Sequence, residues 1–149
     1  MFLVDTNILI YAADSSSSAH PIYKALLDQW RRESTPWYLT WSIIYEFLRV
    51  TTHPRVFRKP WNLKEAWEFI EILLESQSVS VLTEGEQHRK HLAEIVENPR
   101  ELRGNLLHDA HIVALMKEHG IHTIYTRDTD FHKFPNLKVK DPYTDLRAE

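Results

Sequence analysis

The chain has 149 residues, of which 43% are apolar, 11% aromatic and 26% charged. That length and balance predict a single globular domain over 1–149 and exclude a wholly disordered chain. Lys and Arg total 18 against 21 Asp and Glu, a formal charge of −3, so no bulk positive field holds nucleic acid. Such a partner needs a local basic patch, or metal ions that offset the acids.

The chain contains no Cys, which excludes a disulfide framework, a thiolate zinc site and a cysteine nucleophile. No apolar run approaches the roughly 18 residues of a membrane span. The start, Met1-Phe2-Leu3-Val4-Asp5, meets an acid before a signal-peptide core can form, so no export and a cytoplasmic address are expected. Gly85, Gly104 and Gly120 are the only glycines, and neither a Walker loop nor GxGxxG is present.

In chain order, Phe2-Leu3-Val4 reads as a buried strand. A short helical piece follows, then a helix over 19–32 with Ile22, Leu26, Leu27 and Trp30 at helical spacing. Ser15 to Ser18 form a solvated loop. Residues 37–39 suit a strand. Ile43, Phe47 and Val50 mark the next helix, started by Thr40 or Ser42. Residues 63–74 are amphipathic with Asn62 as cap, and 79–82 are rich in β-branched residues. A polar helix over 86–96 stops near Pro99. A helix over 106–119, with Asn105 as candidate cap, is closed by Gly120 in the left-handed conformation. Residues 123–125 are a strand and 137–139 a last one. Strands separated by helices predict an α/β three-layer sandwich with a central parallel sheet flanked by helices.

Four acids stand where local rules do not favour them. Asp5 directly follows the first strand, and ligands of open parallel sheets bind beyond the strands' carboxyl ends. The competing reading is a helix cap by Asp5 or Asn7. Glu46 falls in the stripe of Ile43, Phe47 and Val50 that faces a core. A carboxylate there must be paired, neutralised or bound to a cation, and an ion pair with Arg49 is the plain alternative. Asp109 shares a stripe with Ile112, Val113 and Met116, in what reads as the first turn of its helix, where an acid also suits the helix dipole. Asp128 follows the strand Thr123-Ile124-Tyr125, with Asp130 two residues on. One of the two can serve only to cap the turn, and Asp128 is favoured as nearer the strand end.

The set is more specific than any member. Two acids end strands, and two lie on helices that begin at the same sheet edge. Clustered carboxylates repel and cannot all stay ionised unaided. An all-oxygen cluster selects a hard cation, Mg²⁺ or Mn²⁺, and such ions support phosphodiester hydrolysis. Thr6, Asn7 and Thr126 stand ready to position a water or a carboxylate.

The segments Val4-Asp5-Thr6-Asn7, Glu46-Phe47-Leu48-Arg49-Val50, His108-Asp109-Ala110-His111-Ile112 and Thr126-Arg127-Asp128-Thr129-Asp130-Phe131 occur in this order. With Phe134-Pro135-Asn136-Leu137 and Asp141-Pro142, they resemble the PIN-domain ribonucleases, specifically the VapC toxins of toxin–antitoxin operons. The similarity spans nearly the whole chain. It implies an α/β sandwich and Mg²⁺- or Mn²⁺-dependent endoribonuclease activity with Asp5, Glu46, Asp109 and Asp128 as the acids. Asp130 is a further metal-facing residue. It also implies an RNA substrate, a homodimer and a cognate VapB-type antitoxin.

Arg49, His53, Arg55, Arg58 and Lys59, interleaved with Phe57 and Trp61, make a candidate RNA contact. The opposing reading is a solvated loop whose aromatics pack on the core. All five Trp precede residue 68, as core or interface anchors. Helix 63–74 suits a dimer, an antitoxin or an ordinary core face. His88 with His91, and His108 with His111, are spaced for shared ligation along one helix, but without Cys a structural zinc site is not expected. His108 is also a candidate substrate contact. Two other functions compete. A phosphotransfer protein would need a second acid in Asp5-Thr6-Asn7, and a non-catalytic RNA- or partner-binding module would not need all four acids.

Overall fold

A computed structural model describes residues 1–98 and 103–145. The elements are β1 (Phe2–Val4), α1 (Thr6–Ala13), α2 (His20–Arg32), β2 (Trp37–Thr40), α3 (Trp41–Thr51), α4 (Leu63–Leu74) and β3 (Val79–Leu82). They continue with α5 (His88–Glu97), α6 (Asn105–Glu118), β4 (Thr123–Tyr125), a 3₁₀ turn (Thr129–Lys133), β5 (Lys138–Lys140) and α7 (Pro142–Asp145). The Pro99 stop lies outside the described residues.

All four strand pairings are parallel, in the order β3-β2-β1-β4-β5. The chain winds outward from β1 to β3, then returns to the other side of β1. The order therefore reverses between β1 and β4, where open α/β sheets place their ligands. Phe2, Leu3 and Val4 are all buried. Successive strand residues point to opposite faces, so both faces of the central strand are covered. The expected sandwich is present.

Local signals explain most boundaries. Thr40 accepts from the Ile43 N–H to start α3. Asn62 and Glu65 form a reciprocal capping box on α4. After α6, Gly120 takes φ +68°, its N–H bonds Lys117 O, and the Ile121 N–H bonds Met116 O at 2.8 Å, a Schellman closure. The α6 start differs from expectation. Gly104 (φ +59°) occupies the cap position without a side-chain bond, and Asn105 is the first helical residue. Asp109 is then the fifth residue of α6, one residue deeper than a start at residue 106 implied and just beyond the four free N–H groups of the helix end.

The 19–32 stripe is also shifted. Tyr23, Leu27 and Trp30 are buried, whereas Ile22 and Leu26 are half-buried, because α2 turns its Tyr23 face toward α1, where Tyr11 and Tyr23 stack at 5.3 Å. The polar helix starts at His88 rather than at residue 86. Among the described residues no helix is long and apolar enough to cross a membrane.

Candidate active site

Asp5 leaves β1 and immediately caps α1. Its Oδ1 accepts from the Thr6 N–H at 2.7 Å. Its Oδ2 accepts from Thr126 Oγ1 at 2.6 Å and Asn7 Nδ2 at 3.0 Å. Thr126 stands at the exit of β4, and its hydroxyl also accepts from Asn7 Nδ2 and from the Asp128 N–H at 2.9 Å. Asn7 Oδ1 accepts from the Arg127 N–H at 3.1 Å. Both readings of Asp5 therefore hold. It caps a helix, and it stands at the strand-end crevice. Three of about four acceptor positions on its carboxylate are used, leaving one for a further partner.

Asp109 rises from α6 into the same crevice. It is 7% exposed, and its Oδ2 is buried without a hydrogen-bond partner. Burial pushes its pKa up to about 7, helped by the charges of Asp128, Asp5 and Asp130. Burial also raises Asp5, against the opposing hydrogen bonds from Thr126 and Thr6. Burial is the larger cause at both acids, and the expected repulsion between neighbouring carboxylates adds to it.

Asp128 caps the 3₁₀ turn by accepting from the Asp130 N–H at 2.8 Å. Single oxygens of Asp109, Asp128 and Asp130 lie within 4.8 Å of one another. Asp130 is also paired with Lys133 Nζ at 2.7 Å. Lys133, absent from the sequence reading, had a legible signal in its i,i+3 spacing from that acid.

A cavity of about 460 Å³ is lined by Asp5, Thr6, Asn7, Glu46, Arg49 and Asn105, with Ile10, His108, Asp109 and Asp128 completing the wall. The four expected acids share it, but not as equals. Glu46 is half-buried and accepts from Arg49 twice, at 2.6 and 3.0 Å, which holds its carboxyl below the usual range against the effect of burial. The plain alternative, the i,i+3 ion pair, is present alongside the cavity position. Asn105 was expected as a cap and instead lines the cavity. It lies four residues before Asp109, on the face shared with His108.

Arg55 is not among the cavity residues; its N–H turns back to His53 Nδ1. Phe57 is buried, and Trp61 packs edge-on against Phe47 and Phe57. These rings belong to the core, as the opposing reading held, and are not free platforms for bases.

The donor set fits a hard divalent cation: it is all oxygen, anionic, and contains an orphaned buried carboxylate oxygen. Residues 2–137 match the PIN domain family model. Ribonuclease VapC48 of Mycobacterium tuberculosis is 34% identical over 144 residues, covering 94% of this chain and 96% of that one. Ribonuclease VapC43 of the same organism is 30% identical over 142 residues, covering 95% of each.

Two solved structures share the fold. VapC20 of M. tuberculosis, a sarcin-ricin loop cleaving toxin, superposes with a TM-score of 0.61 at 20% identity, over 93% of this chain and 99% of that one. VapBC2 of Rickettsia felis, bound to a fragment of its promoter DNA, gives 0.64 at 17% identity, over 93% and 96%. The chain belongs to the PIN-domain family, and within it to the VapC ribonucleases.

Proposed function

We propose that this chain is a metal-dependent endoribonuclease and the toxin of a VapBC-type pair, using Asp5, Glu46, Asp109 and Asp128 at its site. The observation that carries the reading is Asp109, a buried carboxylate with an unpartnered oxygen and two further acids within reach. Mg²⁺ or Mn²⁺ is the occupant this donor set favours, held by Asp109 and Asp128 with support from Asp5 and Asp130. When bound, the cation supplies charge for the phosphate and lowers the pKa of attacking water.

The chain's own part is positioning. Thr126 locks Asp5 and the Asp128 backbone together, so the two strand-end acids hold one geometry. Thr6 and Asn7 fix Asp5 from the helix side. Arg49 is largely exposed at the cavity wall and meets the RNA phosphates as it releases Glu46. An aspartyl-phosphate mechanism is disfavoured because Asp5 is 8% exposed and both its oxygens are already engaged.

A VapB-type antitoxin, a homodimer and a cytoplasmic setting belong to the same proposal. The test is cleavage of a mixed RNA substrate by metal-stripped protein. Mg²⁺ or Mn²⁺ restores activity, EDTA removes it, and Asp109→Asn is inactive with an unchanged circular dichroism spectrum. Full cleavage by Asp109→Asn sinks the proposal.

A further inference from the structure

Among the described residues, the histidines brought together with a third ligand are not a pair spaced along one helix but a pair across two helices. His88, at the start of α5, meets His111, in α6, edge to face, with ring centroids 5.5 Å apart at 90°. Glu84, from the loop after β3, adds a carboxylate 2.6 Å from His111 Nε2. One ligand atom from each of Glu84, His88 and His111 lies within 4.8 Å of the others.

Behind His88 stands Glu118, whose side chain is 7% exposed. Its Oε1 accepts from the Gln87 N–H. Its Oε2 lies 3.4 Å from His88 Nδ1, and both of these buried atoms lack a hydrogen-bond partner. Orphaned buried polar atoms call for an explanation.

We propose that Glu84, His88 and His111 form a second metal site, for Zn²⁺ or a similar borderline transition ion. Two imidazoles and one carboxylate are a nitrogen-rich set that suits zinc and not Mg²⁺, unlike the oxygen-only cavity around Asp109. Three protein ligands with an open fourth position fit four-coordinate zinc. Tetrahedral zinc places its ligand atoms roughly 3.3 Å apart, a spacing inside the 4.8 Å that bounds these three. Glu84 sits in the exposed loop after β3. Glu118 is a positioning residue: it faces His88 Nδ1 and orients the ring, as carboxylates do behind metal-bound histidines.

The site also answers a weakness in the fold. Ile95 is the only buried residue of α5, and the helix has no side-chain cap. A cation shared by its first turn, the preceding loop and α6 clamps α5 in place.

The inference is independent of the nuclease reading, and the test separates them. Metal-stripped full-length protein is titrated with Zn²⁺ in excess Mg²⁺, with zinc counted by mass spectrometry after desalting and Tm followed in parallel. Wild type and Asp109→Asn bind one Zn²⁺ per chain, and zinc raises Tm on the order of 5 °C. His88→Gln and His111→Gln weaken zinc binding at least tenfold and lose the Tm rise. Glu84→Gln, at an exposed position that folding tolerates, weakens binding in the same direction. No zinc uptake by wild type, uptake unchanged in the histidine and Glu84 variants, or uptake lost in Asp109→Asn each overturns the proposal.

Discussion

The Thr126 hydroxyl donates to Asp5 Oδ2 at 2.6 Å across 121 residues of sequence. Through this bond the exits of β1 and β4 become one rigid edge, and the same hydroxyl accepts the Asp128 N–H. All three of its hydrogen-bonding positions are in use. Thr126→Val keeps the shape and removes them all. It is expected to cost about 1–3 kcal/mol in denaturant melts and to lower RNA cleavage at least tenfold. Thr126→Ser retains most of both, and equal losses in Ser and Val would point to packing instead.

Asp109 carries the pH dependence. Its pKa is about 7 in the fold against 3.8 as a free side chain. The folded state therefore holds a proton that the unfolded chain releases between those values. Without divalent metal, stability is highest below about pH 4 for this group and falls as pH rises through 7, by at most about 4 kcal/mol. Asp109→Asn flattens that slope in chelator-treated protein and raises stability at pH 8. In wild type, metal affinity climbs over the same interval because the cation displaces that proton.

Arg49 occupies both oxygens of Glu46 at the wall of the acidic cavity. Arg49→Ala removes a competitor for the carboxylate and a contact for phosphate at once. Mg²⁺ is expected to half-saturate at a few-fold lower concentration, while the KM for RNA rises a few-fold. Movement of both parameters in one direction would show that Arg49 serves only one of these roles.

Gly120 closes α6 at φ +68°, in open space that would admit a side chain. Gly120→Ala meets no clash, so its cost is conformational alone, about 1–2 kcal/mol by denaturant melt. RNA cleavage at low temperature should be unchanged.

The local grammar of the sequence determined the order and type of the elements. Strand-length apolar runs, the 3.6-residue stripe, the Asn62 cap and the Gly120 stop act over a few residues, so they are legible one window at a time. The same windows exposed Asp5, Glu46, Asp109 and Asp128 as acids out of place, and the i,i+3 spacing of Glu46 and Arg49 announced their pairing. Only the tertiary structure decided the rest. The placement of β4 beside β1 brings Thr126 onto Asp5. Starting α6 at Asn105 turns that residue into the cavity wall and sets Asp109 one residue deeper. The packing of α5 on α6 joins His88 to His111 in place of its helical neighbour. Each of these depends on which surfaces the whole chain buries together, and that choice is made by the free energy of the complete core, not by any short stretch of residues.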